Sequence, residues 1–411
     1  MEYSVVFSPE LNATIKLPAS KSISNRVLII NALAQNGEKP DNLADCDDTH
    51  VMVKALSDDK EVVDIMAAGT AMRFLTAYYS IRPGKKIITG SPRMQQRPIG
   101  LLVDALRKLG ADITYTQKEG FPPLEINGKP LAGGKITLEG DISSQYISAL
   151  LMVGPALADG LTLNLSGEII SRPYIDLTVQ IMKRFGADVD WHGNNRLVVK
   201  PQPYKPVPFR VESDWSAASY WYELAALSDH AEVQLLGLTP DSLQGDRRGA
   251  ELFRKLGVTT TFNDKGVVIT KSKRGIDRME ENLLDIPDLA QTFVVTCCML
   301  DIPFRFSGLR TLKIKETDRI AALITELSKL GYTLTEEEGD ILSWDGNKHK
   351  PLNSPVLKTY DDHRMGMALA PAAIKYPDLW IDNPGVVTKS YPGFWNDLTK
   401  AGAFLIKDNM K

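Results

Sequence analysis

From Ile320 the apolar residues Ile320, Leu323, Ile324, Leu327 and Leu330 recur at three- and four-residue steps, and Gly331 closes the run. The spacing predicts one amphipathic helix with a glycine stop. Four other stretches share this form, each ending in a glycine followed by strand-like residues: ALRKLGADI at Gly110, IMKRFGADV at Gly186, LFRKLGVTT at Gly257 and LTKAGAFL at Gly402. With Gly331 between the last two, the glycines stand 76, 71, 74 and 71 residues apart. A period this regular indicates stacked supersecondary units.

A second series of runs is apolar almost all round, which predicts helices buried on every side, while the first series covers the outside. These runs open at Ser22, Gly69, Ser143, Asp214, Asp288 and Asp361, at intervals of 47, 74, 71, 74 and 73 residues. Strand-like pieces such as KKIITG, GLTLNL, AEVQLL and IPFRFSG follow them. The chain therefore reads as six α/β units, the first shortened between Ser57 and Ala67. Six units split most simply into two groups of three, and the proline-rich PQPYKPVPF (Pro201 to Phe209) marks the crossing between domains.

Composition narrows the partners. The formal net charge is −3 over 411 residues, so the chain as a whole does not attract nucleic acid or an anionic membrane, and any basic site must be a local concentration. Cys46, Cys297 and Cys298 are odd in number and lack CxxC spacing, as expected of buried thiols in a reducing compartment. The start, MEYSVVFSPE, has no basic or apolar leader character and no apolar run approaches a membrane span, so a cytoplasmic protein is expected. The five histidines show no ligand spacing, and there is neither a P-loop nor a G-x-G-x-x-G, so no metal or organic cofactor is expected.

The polar residues that need explaining fall at the starts of the buried helices: Lys21, Ser22 and Arg26; Gly69, Thr70 and Arg73; Ser143, Ser144 and Gln145; then Asp214, Asp288, and His363 with Arg364. Any one set is more often a cap than a site. Six sets at one structural position predict that the buried helices of each domain pack side by side, so that their N-termini emerge together and converge on an anion-binding cavity between the two domains. Outer elements add to it. Pro98 suits a first helical position with Arg97 at the cap, Pro173 puts Ser171 and Arg172 at another helix start, and Lys389 precedes the last helix. In Lys315-Glu316-Thr317-Asp318-Arg319, Thr317 or Asp318 can cap the next helix. Lys315 and Arg319, if both helical, would crowd like charges at a cost of about 0.2–0.5 kcal/mol that a bound anion removes. Lys21, Arg26, Arg97, Lys315, Arg319, Arg364 and Lys389 together call for a polyanionic ligand, such as two small substrates carrying phosphate and carboxylate.

Nine motifs in order, ASKSISNR, AGTAMR, RMQQRPIG, SSQY, SRPYID, QGD, IPDLA, KETDR and DDHRM, resemble the 5-enolpyruvylshikimate-3-phosphate synthase family, the 3-phosphoshikimate 1-carboxyvinyltransferases of aromatic amino-acid biosynthesis. The resemblance implies an α/β fold of two similar domains, each of three βαβαββ units, with residues 19–211 forming one, residues 1–18 and 212–411 the other, and the active site between them. It implies a monomer that closes over shikimate-3-phosphate and phosphoenolpyruvate, and glyphosate as an inhibitor. Carried over by motif, Lys21, Ser22, Arg26, Ser143, Ser144, Gln145, Ser171, Asp288 and Lys315 hold shikimate-3-phosphate. Lys21, Gly69, Arg97, Gln145, Arg319, Arg364 and Lys389 hold phosphoenolpyruvate. Asp288 is assigned as base and Glu316 as acid, with Lys21 touching both substrates.

The chain departs from the family pattern at Ala67, where an asparagine is usual, at Phe74, where a proline is usual, and at Thr311, where an asparagine often contacts the substrate. Two other readings compete. A sibling transferase acting on UDP-N-acetylglucosamine typically carries a cysteine in the region of Ser91 to Arg97, which has none here. A non-catalytic anion-binding module would need the cations but not Asp288 and Glu316.

Overall fold

The computed structural model describes residues 1–35 and 37–408. By its internal contacts the chain divides into two compact units, Ala19–Val211 and the discontinuous pair Met1–Pro18 with Glu212–Lys411. Among the described residues no helix is long and apolar enough to cross a membrane.

The discontinuous unit holds three four-stranded sheets. In the first, Glu10–Lys16 runs parallel to His230–Leu236, and the hairpin Val258–Asn263 with Gly266–Lys271 completes the sheet. The second joins Met279–Asn282 in parallel to Phe304–Ser307, followed by Ile341–Trp344 and Thr335–Glu337. The third joins Val356–Leu357 in parallel to Trp380–Asp382, then Glu2–Val6 and Phe404–Asp408. Each sheet follows one scheme: strand, buried helix, parallel strand, outer helix, and two antiparallel strands of which the last pairs inside. The N-terminal residues therefore serve twice. Glu2–Val6 is the closing strand of the last unit, and Glu10–Lys16 is the opening strand of another.

The unit Ala19–Val211 repeats the scheme in two sheets, one of Val62–Asp64, Gly84–Thr89, Leu124–Gly128 and Asp112–Tyr115, the other of Gly134–Glu139, Leu161–Ser166, Arg196–Val199 and Val189–Trp191. Its shortened first segment keeps the two helices of a repeat, Lys21–Leu33 and Asp47–Ser57, and among the described residues contributes no strand to a sheet. What remains of its pairing is a single parallel bridge between Asp41 and Arg210.

The buried helices form because their surroundings demand it. Ala290–Met299 reads AQTFVVTCCM, and its β-branched residues are weak helix formers, yet every one of its side chains is buried. Burying a Val or Phe side chain gains about 1.5–3 kcal/mol, against a propensity deficit of at most about 0.7 kcal/mol per residue. Burial wins. The outer helices stop as their repeat predicts: Gly110, Gly186, Gly257, Gly331 and Gly402 all take positive φ, between 82° and 98°. After four of them the next amide donates back to the carbonyl five residues earlier, as Tyr332 does to Leu327 at 3.0 Å, the closing bond of a left-handed helix cap.

Candidate active site

In the discontinuous unit, the first residues of the buried helices and the segment before Arg319–Lys329 form one charged cluster. Its centre is Arg319, 1% exposed. The guanidinium donates through Nε to Asp362 Oδ2 at 2.7 Å and through Nη2 to Asp362 Oδ1 at 3.2 Å and Glu316 Oε2 at 3.1 Å, and through Nη1 to Asp288 Oδ1 at 3.4 Å. Arg364 Nη2 donates to Asp288 Oδ2 at 2.8 Å, Lys315 Nζ lies 3.5 Å from Asp288 Oδ1, and Lys389 Nζ donates to Glu316 Oε1 at 2.8 Å. Burial alone would raise the Asp288 pKa, but Arg364, Lys315 and Arg319 outweigh it and hold the carboxyl well below the usual carboxylate range.

Local sequence explains the positions. Asp318 caps the Arg319–Lys329 helix by accepting from the Ala321 amide at 3.1 Å. Lys315 lies outside that helix, so the like-charge crowding expected of Lys315 and Arg319 does not arise; Arg319 instead turns into a nest of carboxylates. Asp362 caps the His363–Leu369 helix by accepting from the Arg364 amide at 2.9 Å, which places Arg364 one residue inside the helix. Asp288 sits in a turn of 3-10 helix, Pro287–Leu289, that leads into Ala290–Met299.

In the unit Ala19–Val211, Ser20 caps the Lys21–Leu33 helix, and Lys21 Nζ lies 3.1 Å from Asp48 on the neighbouring Asp47–Ser57 helix. Arg26 is held inward. It donates to Thr178 Oγ1 at 2.7 Å, the Ser22 carbonyl at 2.9 Å, Ser148 Oγ at 3.2 Å and the Tyr174 carbonyl at 3.3 Å, and its guanidinium lies 5.4 Å from the Phe74 ring centroid. Burial lowers its pKa to about 10. Most of its donors thus tie three helices together instead of facing outward. Phe74, where the family usually has proline, supplies the ring against that cation.

Ser143 caps Ser144–Val153 by accepting from the Gln145 amide, and Gln145 Nε2 donates to Thr70 Oγ1 at 3.1 Å, so two buried helices meet at their N-termini. Ser171 stands in a left-handed conformation immediately before Arg172–Arg184, the helix whose Tyr174 and Thr178 hold Arg26, and its side chain makes no capping bond to that helix. Arg97 follows the 3-10 turn Met94–Gln96 in extended conformation. The helix after it begins only at Gly100, so Pro98 is not its first residue and Arg97 is not its cap. Arg97 is nonetheless buried beside Gly69: a Cβ on Gly69 would meet Arg97 Nη1 at 2.7 Å and Arg73 Nη1 at 3.0 Å. Arg73 is fixed by the Gly69 carbonyl at 3.0 Å and the Pro98 carbonyl at 3.2 Å.

A family model described as EPSP synthase (3-phosphoshikimate 1-carboxyvinyltransferase) matches residues 7–58 and 55–398. The chain belongs to the EPSP synthase family. The break between the two matched segments falls where the shortened first repeat ends. A Bacteroides fragilis protein named 3-phosphoshikimate 1-carboxyvinyltransferase is 60% identical over 402 residues, 98% of each chain. A Vibrio cholerae protein of the same name is 36% identical over 414 residues, covering 94% of this chain and 96% of its own. A solved EPSP synthase from Acinetobacter baumannii superposes with a TM-score of 0.75 at 19% identity, covering 99% of this chain and 100% of its own, a likeness of fold.

In each unit, residues that hold the predicted site residues were not singled out from sequence. Asp362 grips Arg319, Asp48 faces Lys21, and Ser216 accepts from Arg364 at 3.4 Å while donating to Asp246. Burial, then the charge of Asp288, push the Asp246 pKa up to about 6. Asp362 and Asp246 stand inside the DDHRM and QGD motifs, but which of their atoms meet which cation depends on folding.

Proposed function

We propose that this protein transfers the enolpyruvyl group of phosphoenolpyruvate to the 5-hydroxyl of shikimate-3-phosphate and releases phosphate, by addition followed by elimination. Family membership and the two near-full-length relatives support the reaction. The observation that carries the chemistry is the pairing of Asp288 and Glu316 with the very cations that two anionic substrates need: Arg364, Lys315 and Arg319 on one carboxylate, Arg319 and Lys389 on the other.

In the addition, the 5-hydroxyl oxygen bonds to C2 of phosphoenolpyruvate, its proton passes to Asp288, and C3 takes a proton from Glu316. In the elimination, C3 returns a proton to Glu316, the C2–O bond to phosphate breaks as the leaving phosphate takes the proton held on Asp288, and the enol ether forms. A carboxylate held far below its usual pKa is a weak base. Substrate phosphate and carboxylate draw Arg364, Lys315 and Lys389 toward themselves, which raises the proton affinity of both carboxylates at the moment they are needed. The substrates thereby switch on their own acid and base.

Lys21, Ser22, Ser143, Ser144, Gln145, Ser171 and Lys315 hold shikimate-3-phosphate in this proposal. Arg26 serves it chiefly by fixing the helices that present Ser22 and Ser171. Gly69, Arg97, Gln145, Arg319, Arg364 and Lys389, with Lys21, hold phosphoenolpyruvate. Glyphosate as a competitor for the phosphoenolpyruvate groups, a monomeric state and a cytoplasmic location belong to the same reading. Mass spectrometry of a mixture of protein and both substrates tests it. A product heavier than shikimate-3-phosphate by one enolpyruvyl group, formed only when both substrates are present, is expected. Unchanged shikimate-3-phosphate would overturn the proposal.

A further inference from the structure

Glu326 is a carboxylate with no exposed surface, two helical turns beyond Arg319 on the same outer helix. A carboxyl group taken out of water needs hydrogen-bond partners in the protein. It has three: Oε1 accepts from the Tyr360 hydroxyl at 2.6 Å, and Oε2 accepts from Lys329 Nζ at 2.6 Å and from the Lys358 amide at 2.9 Å. Lys329 also donates to the Val356 carbonyl at 2.8 Å. The helix is thus pinned along the whole approach to Asp362.

That approach is conformationally unusual. Tyr360 and Asp361 are consecutive non-glycine residues with φ of +55° and +54°, a region that L-residues occupy only when their surroundings hold them there. Asn383 Nδ2 donates to Asp361 Oδ1 at 2.8 Å from one side, and Glu326 grips Tyr360 from the other. The next residue, Asp362, carries both bonds to Arg319 and accepts from the Arg364 amide.

We infer that Glu326 is a positioning residue for phosphoenolpyruvate. By fixing the left-handed Tyr360–Asp361 turn, it sets where Asp362 stands and hence where Arg319 and Arg364 point. It touches no substrate and acts through Tyr360 and Asp362. The inference rests on the proposed reaction and adds to it a residue outside the charged cluster.

Steady-state kinetics of Glu326→Gln and Tyr360→Phe, with thermal midpoints, test it. Tyr360→Phe removes one hydroxyl and leaves the carboxylate its other two donors, so it keeps the test open should Glu326→Gln fail to fold. The expected result is a KM for phosphoenolpyruvate raised about fivefold or more, with the KM for shikimate-3-phosphate within about twofold of wild type. A folded Tyr360→Phe with both KM values at wild-type level, or with both raised alike, would overturn the inference. Wild-type turnover, measured alongside, separates the two claims. Without turnover the proposed reaction fails; with turnover and an unmoved KM, only the role of Glu326 does.

Discussion

Replacing Gly69 by alanine perturbs one side of the proposed phosphoenolpyruvate site by a calculable amount. The new Cβ would stand 2.7 Å from Arg97 Nη1 and 3.2 Å from its Cζ, where ordinary contact begins at 3.4 Å. One guanidinium must therefore retreat by about 0.7 Å, the difference 3.4 − 2.7. Arg97 is the nearer of the two, so it yields by more than Arg73, whose Nη1 would stand 3.0 Å away. A hydrogen bond to a charged group contributes about 1.5–3 kcal/mol, and a displacement of this size forfeits roughly half of it. At 1.4 kcal/mol per factor of ten, the KM for phosphoenolpyruvate is expected to rise about three- to tenfold. The KM for shikimate-3-phosphate should stay near wild type, because Ser22, Ser143 and Ser171 are untouched. Initial-rate measurements with each substrate varied in turn decide the matter. An unchanged KM for phosphoenolpyruvate, or a rise confined to shikimate-3-phosphate, would refute the placement of Arg97.

Arg319→Lys should lower turnover by two orders of magnitude or more and lower the thermal midpoint, because lysine cannot span both Asp362 oxygens and breaking such a buried pair costs about 3–5 kcal/mol; activity and calorimetry check both. Glu223 lies fully buried in Trp215–Leu227, and among the described residues neither carboxylate oxygen has a hydrogen-bond partner. Desolvation raises its pKa well above normal, so its contribution to stability is present below the unfolded-state pKa and is lost as pH rises. Glu223→Met should raise the midpoint at pH 7 by several degrees and by less at pH 4, since relieving unsatisfied buried oxygens recovers about 1–3 kcal/mol; a lower midpoint would show that the carboxyl is satisfied. Asp246, with a pKa pushed up to about 6, follows the same sign: its share of stability fades as pH rises from about 4 to 6, and Asp246→Asn should flatten that slope in a pH series of denaturation curves.

The repeat was legible in the sequence because it is written in spacing. Glycines closing each outer helix and apolar runs opening near Ser22, Gly69, Ser143, Asp214, Asp288 and Asp361 are properties of local chain geometry. The double use of the N-terminal strands was less so, since pairing Glu2–Val6 with Phe404–Asp408 is a contact between the two ends of the chain. At the site, motifs named the cations and the two carboxylates but not their mutual arrangement. Arg26 was named for shikimate-3-phosphate by its motif, which says nothing of the protein groups that hold it. Its turn inward depends on Ser148 and Thr178, more than a hundred residues away in sequence. Arg97 was placed by a proline rule that holds for a first helical residue, whereas the helix starts at Gly100. Glu326 carried no signal at all, because the value of a glutamate on an outer helix becomes visible only when Tyr360 and Lys358 are brought to it.

The central claim is that Asp288, held ionised by Arg364, Lys315 and Arg319, is the base of an enolpyruvyl transfer that requires both substrates. The most direct measurement is the rate of phosphate release from phosphoenolpyruvate, with and without shikimate-3-phosphate, in the wild type and in Asp288→Ala. The account predicts release only when both substrates are present, and a fall of about a hundredfold or more in the variant, the scale of a lost general base. Release without shikimate-3-phosphate, or a variant that turns over at the wild-type rate, would contradict it.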